Sequence, residues 1–380
     1  MKRIFTLFAT LIACAGMAHA QATVESATPQ EQVTFSNEVK TEKEAPAFKS
    51  EAQIKAEKAA LRKERNTIEF NATINGSLSH FNTSWRSVNG NTNSLTALGN
   101  ILFTHNYKKG KFTIGTKVTG KLGYTYNFLD ESEGSSDVTK SQDEWFIQTA
   151  PAYTLSKSWN VGGSVSLRSQ FANGYNGDDK LTSVGFAPAY LTLAAGFTYV
   201  CPNAKFPIKI NVSPISMNAT YVVDQRVRDF FYGEKFGTTA VADLTLDQRN
   251  SPYVYGLTLE DGIQRYEGGS SIQIDFDKTF GKKGVFRYRT TLYSFYGWIN
   301  DVSQQAKSKE WNADPANATN PLNYERIVPT VRWENTIDIK ATKYFSTQFY
   351  FQLYYNKAQI NKVQTQVVLG VGLAYTFKNK

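Results

Sequence analysis

Histidine and cysteine are almost missing from this chain. Of 380 residues, three are His and two are Cys. His19, His80 and His105 are too scattered to supply a metal cluster. Cys14 lies in a leader-like segment, so its removal leaves Cys201 alone, with no intrachain disulfide and no CxxC redox pair. Cys201 precedes Pro202-Asn203 in turn-like sequence and reads as an ordinary small residue. No HExxH, GxSxG elbow or phosphate loop occurs. "GLTLEDG" (Gly256 to Gly262) carries acids without calcium-loop spacing and reads as a hairpin end. No internal apolar run of about 18 residues is present, which argues against a membrane helix. A membrane barrel is not excluded, because only its alternate residues face lipid. Neither sign of charge dominates: 42 Lys and Arg stand against 33 Asp and Glu. That modest excess, spread along an exported chain, gives no support for a nucleic-acid partner. No cofactor, metal or catalytic residue is expected.

What the chain does have is aromatics and alternation. Phe (25) and Tyr (21) are abundant, yet mean hydropathy is -0.39. The start, "MKRIFTLFATLIACAGMAHAQA", has a basic Lys2-Arg3, an apolar Ile4 to Ala15, and Ala18-His19-Ala20 before Gln21. It reads as a secretory signal over 1–20, cleaved before Gln21. The alternative is a lipobox, Leu11-Ile12-Ala13 followed by a lipidated Cys14. Residues 21–67 read as a periplasmic tether with a short helix over 50–65. There Ser50 and Gln53 form a capping-box pattern, and Ile54 and Leu61 share a stripe. Residues 68–380 read as one barrel.

From Ile68 onward the period is two. In "KFTIGTKVTGKLGYTYNF", Phe112, Ile114, Val118, Leu122, Tyr124, Tyr126 and Phe128 share one face. Thr113, Lys117, Thr119, Lys121, Thr125 and Asn127 share the other. Such a segment is long for a soluble strand but suits a tilted bilayer crossing. Fourteen strands are predicted: 68–81, 95–107, 111–128, 144–156, 158–172, 184–200, 205–223, 238–246, 252–260, 266–277, 285–299, 327–341, 344–355 and 363–377. Merging 238–246 with 252–260 would lower the count, and twelve is possible. Short turns near 108–110, 157, 201–204, 247–251, 278–284 and 342–343 alternate with longer polar loops. That alternation is the habit of an antiparallel outer-membrane barrel, with short periplasmic turns and long outer loops. Strand N–H and C=O groups cannot stay unpaired in hydrocarbon, so the ring must close, the final strand pairing with the first. The final strand puts Val367, Leu369, Val371, Leu373, Tyr375 and Phe377 toward lipid, and Gly370, Gly372, Ala374 and Thr376 inward. An even count places both termini in the periplasm of a Gram-negative cell. A soluble exported β-protein is the architectural rival; it does not explain the strand lengths.

The inward face carries charge of both signs. Asp275, Arg287 and Arg289 point inward, with Asp275 roughly opposite Arg287. Arg332, Glu334, Asp338 and Lys340 join them, as do Arg168, Lys117 and Lys121. The blander role of such a wall is bracing by cross-strand pairs. The sharper one is a constriction that selects solute charge, with Arg168, Arg287, Arg289 and Arg332 balanced by Asp275, Glu334 and Asp338.

"FNTSWRSVNGNTNSLTALGNILFTHNYKKGKFTIGTKVTGKLGYTY" resembles a Bacteroidetes outer-membrane family of unknown function, DUF3078. The likeness rests on Trp85, Gly90, Asn91 to Ser94, and Tyr107 to Lys111. The family's Asn-Trp and Gly-Gly are here Ser84-Trp85 and a single Gly90. "RWENTIDIKATKYFSTQFYFQLYYN" resembles its Trp-Glu-Asn strand and final hairpin through Trp333, Glu334, Asn335 and Tyr344. The resemblance implies a single barrel in the outer membrane and no activity. The expected role is passage of a small solute; alternatives are a structural or binding barrel acting through its loops, and a membrane-embedded lipid hydrolase. The last would need serine and histidine together, and His80 reaches Ser79 or Ser84 only by special geometry. Expected partners are outer-membrane lipid and lipopolysaccharide, the barrel-assembly machinery, and a small solute.

Overall fold

The computed structural model describes residues 50–79, 93–128, 137–175, 180–281, 284–342 and 344–379. The predicted signal, the Cys14 alternative, residues 21–49 of the tether, His80, Trp85, Gly90 and Asn91 lie outside them. The chain divides into an N-terminal unit, Met1–Ile54, and a second unit, Lys55–Lys380. Helix α1, Glu51–Arg65, has no buried residue. The expected capping box is present: Gln53 N–H donates to Ser50 Oγ (3.3 Å) and Ser50 N–H to Gln53 Oε1 (2.9 Å).

Among the described residues, a short ribbon pairs Gly174–Tyr175 with Leu181–Ser183, and twelve strands build the barrel: β1 Asn66–Ser79, β2 Asn93–Lys109, β3 Phe112–Phe128, β4 Asp137–Thr154, β5 Trp159–Ser169, β6 Ala189–Val200, β7 Ile208–Tyr221, β8 Gln264–Phe280, β9 Phe286–Tyr296, β10 Thr330–Lys340, β11 Phe345–Asn356 and β12 Ile360–Lys378. They form one closed ring of antiparallel sequence neighbours. β12 closes onto β1 with Phe70 opposite Phe377 and Ile74 opposite Leu373. Closure therefore follows the expected seam. The outer face is apolar and open to its surroundings, with Leu369 at 66% and Leu373 at 62% exposure, as a lipid-facing wall requires. The fold is that of an outer-membrane β-barrel.

Two predicted strands do not exist. The segments 238–246 and 252–260, and the turn proposed at 247–251, belong to one long connection between β7 and β8. It holds helix α2 (Gln225–Phe236), a 3-10 turn at Val241–Asp243, and helix α3 (Leu246–Asn250). Asp224 caps α2 by accepting from the Arg226 and Val227 amides. "GLTLEDG" is accordingly no hairpin end but part of the same connection, with a 3-10 turn at Leu259–Asp261. Apolar residues here serve a small separate core. Two tight turns are each closed by a bridge, Val184 to Ala187 and Val254 to Leu257. Their bridge residues pack with Val222 and Val227. Gly256 takes φ +92°, a left-handed value that its missing Cβ permits.

This cap touches several sectors of the ring. Tyr255 Oη donates to Thr182 O (2.8 Å), and Arg265 Nη1 on β8 donates to Gly256 O (3.0 Å). A Cβ on Gly256 would lie 3.3 Å from Ala358, in the turn between β11 and β12. The segment thus lies over the loop end of the barrel. The connection after β9 adds helix α4, Trp298–Ala313. Its buried Asp301 accepts from Tyr324 Oη (2.6 Å), Tyr296 Oη (2.9 Å) and the Ile327 amide (2.8 Å). Burial pushes this carboxyl up, but those donors and the Arg326 charge outweigh it and hold it below the usual carboxylate range. A lowered carboxyl contributes stability above its unfolded value of about 4, and loses it as pH falls through the lowered one. Asp301→Ala should therefore make the 297–329 connection protease-sensitive at pH 7. The unmodified loop should become so only in strong acid. Limited proteolysis across pH checks this.

Candidate functional site in the barrel lumen

All seven predicted residues lie on inward-facing strand positions, and the four arginines each meet a carboxylate. Nearest the short-turn end, Arg287 holds Asp277 through two bonds, Nε to Oδ1 (2.8 Å) and Nη2 to Oδ2 (2.6 Å). Its Nη1 reaches Glu69 on β1 (2.7 Å), four strands away round the ring. Lys378 also meets Glu69 (3.3 Å). Next comes Arg289, bonded to Asp338 at 2.7 Å. Gln348 donates to the other Asp338 oxygen (2.7 Å), and Asn100 on β2 donates to Gln348 (3.1 Å).

Asp275 is not opposite Arg287. It faces Thr291, while Arg287 faces Thr279. The strands pair Phe280 with Phe286, a register two places later than the predicted turn implies. Asp275 instead accepts from Thr291 Oγ1 (2.9 Å) and from Gln273 (2.8 and 2.9 Å).

The middle layer spans the lumen. Glu144 on β4 and Arg332 on β10 stand six strands apart in either direction, on opposite walls. They meet at 3.0 Å, and Arg332 is only 6% exposed. Arg332 also pairs with Glu334 on its own strand. Arg168 on β5 approaches Glu144 at 3.4 Å and Lys121 on β3 at 3.7 Å. Lys121 sits 4.0 Å from the Tyr350 ring centre, and Arg168 lies 5.1 Å from that of Phe146. A side-chain bridge from wall to wall therefore crosses the section that the sequence offered as a charge-selecting constriction.

Cavities lie on both sides of this bridge. One of about 70 Å³ is lined by Thr73, Asn100, Arg289, Gln348 and Tyr350. The other, about 280 Å³, is lined by Lys140, Asp143, Gln170, Ser183 and Gln352. Lys121 and Gln142 line both.

Glu144, the hub, was missed. The sequence reading began its strand at 144, so this residue passed for a loop edge, whereas β4 starts at Asp137. Its parity with Gln142, Phe146 and Gln148 was the available signal. Glu69 and Tyr350 were missed likewise; Arg287 and Lys121, which they meet, lie on distant strands, out of reach of sequence spacing. His105, the one histidine among the described residues, makes a hydrogen bond of 2.7 Å with Asn66.

Residues 76–175 match the model of a family described as a protein of unknown function, DUF3078. That range holds the whole of the first resembling stretch, residues 81–126, and leaves the Trp333–Asn335 stretch outside it. No curated protein matches the sequence. Among solved structures, similar chains include an outer-membrane channel from Pseudomonas putida F1 (12% identity, 83% of this chain and 95% of that one, TM-score 0.33). Another is the translocator domain of the autotransporter NalP from Neisseria meningitidis (8%, 85% and 96%, 0.31). A third is outer membrane phospholipase A from Escherichia coli (12%, 82% and 95%, 0.29). At these values the likeness says nothing of activity.

Proposed function

We propose that the barrel passes a small polar solute across the outer membrane through a lumen held shut by the Glu144–Arg332 bridge. The observation that carries this is the pair of cavities sharing Lys121 and Gln142 in their linings, so that one layer of side chains separates them. Charged and amide groups on the inward wall suit a polar solute, and the residues of the bridge sit on flexible stems able to swing aside. The short turns and both termini would face the periplasm, the cap the exterior. Lipid and lipopolysaccharide would surround the apolar belt, after insertion by the barrel-assembly machinery. The role needs no catalysis and no cofactor.

Single-channel recording in planar bilayers tests the reading. The unmodified barrel should open rarely and briefly, and Arg332→Ala should conduct steadily. A folded, inserted Arg332→Ala barrel that stays silent would overturn passage. It would favour the second reading, a closed scaffold acting through its loops, which the cap's own hydrophobic core supports.

A further inference from the structure

The cavity on the loop side of the bridge has a lining unlike the rest of the lumen. Its charges are satisfied within it. Lys140 Nζ pairs with Asp143 (2.8 Å) and also donates to Gln170 Oε1 and Ala172 O (both 3.0 Å). Lys121 pairs with Glu144. Two lysines and two carboxylates thus cancel, and no unpaired charge in the lining asks for a charged ligand.

What remains uncommitted is amide and hydroxyl. Gln142 is only 7% exposed, yet its side chain makes no hydrogen bond among the described residues, and it lines the cavity. Its amide is open to the cavity and free to bond whatever occupies it. Gln170 Oε1 already accepts from Ser183 Oγ (2.7 Å) and Lys140, so its Nε2 is left to donate. Gln352 Oε1 accepts from Tyr350 Oη (2.9 Å), which leaves its Nε2 free in the same way. Tyr175 adds an aromatic ring to the lining, and that ring is more than half exposed. Neutral amides converging beside one aromatic face match a compact solute with many hydroxyls and no net charge. Each hydroxyl both donates and accepts, and the C–H face of a sugar ring stacks on a phenol.

We propose that this cavity binds an uncharged, hydroxyl-rich solute of sugar size. Gln142 is its central hydrogen-bonding group, and Gln170 and Gln352 assist. The proposal names the substrate class for the passage reading and rests on it only for what the binding is used for. Binding itself is measurable in a barrel that never opens.

The test is isothermal titration calorimetry on the exported chain, purified from membranes in detergent. The probes are D-glucose and maltose, with gluconate and glucosamine as charged comparators. A saturable heat is expected for at least one neutral sugar, and binding at least tenfold weaker for both charged analogues. Gln142→Leu should weaken the sugar at least tenfold with circular dichroism unchanged. If Gln142→Leu does not fold, Gln352→Leu carries the same expectation. The idea fails if neither neutral sugar binds, if the charged analogues bind as well, or if the folded variant keeps full affinity. Sugar binding by a barrel whose Arg332→Ala variant is silent would leave this site standing and remove passage alone.

Discussion

Glu144→Ala should give a barrel that conducts continuously and prefers anions. In the closing layer, Lys117, Lys121, Arg168 and Arg332 stand against Glu144 and Glu334. Glu144 is the carboxylate on which Lys121, Arg168 and Arg332 converge, from three different strands. Without it, four cations face one carboxylate, and like charges a few ångströms apart repel. Arg332 keeps Glu334 on its own wall, so it should retract toward β10 and open the section. Removing one partner from a buried pair costs about 3–5 kcal/mol in a dry interior, less here where water enters the lumen. The strand ladders do not depend on this residue, so the barrel should still form. Reversal potential in a salt gradient reads the selectivity. Glu144→Gln, which keeps shape and loses charge, should fall between the two. Cation preference, or unchanged silence in a folded Glu144→Ala barrel, would mean that the bridge is not the gate.

The alternation of residues was legible because lipid enforces it. One slip in parity would put Leu369 or Leu373 into the lumen and a glycine toward hydrocarbon, so the pattern runs through the strands and breaks at bulges such as those at Gly123/Tyr124 and Gly269/Ser271. The closing seam followed from the same constraint. The cap did not follow. Val254, Tyr255 and Leu257 form a short apolar run that periodicity alone cannot separate from a strand, and here they serve a core made with Val184 and Val222. The lumen was half legible. Inward charges could be listed from parity, but which ones meet depends on ring size and stagger. Fourteen strands would have set β4 and β10 on no common diameter; twelve place Glu144 and Arg332 face to face. For the inward arginines the sequence offered two roles, bracing by cross-strand pairs and a constriction that selects solute charge. Each arginine holds a carboxylate, and all four do so on a strand other than their own.

The largest structural effect should come from the smallest side chain, Gly372. On β12 it lies opposite Asn75 of β1, inside the closing seam. A Cβ there would run into the Ile74 carbonyl oxygen and lie 2.7 Å from Asn75 Cα. At Gly370 a Cβ would meet the Asn75 side chain at 2.8 Å. The small residues of the last strand thus answer to its partner: β1 comes so close, with Asn75 buried between them, that only glycine fits. A clash with backbone cannot be relieved by turning a rotamer. Gly372→Val must push β1 away or shift its register, and either leaves two strand edges unpaired in hydrocarbon, where each lost hydrogen bond is expensive. Loss of the folded, heat-modifiable band on unheated gels is expected, with the chain degraded in cells. Val371→Leu, one residue away but pointing to lipid, should fold normally. A normal barrel from Gly372→Val would show that the β1–β12 seam has room to yield, and that ring closure does not set the identity of this residue.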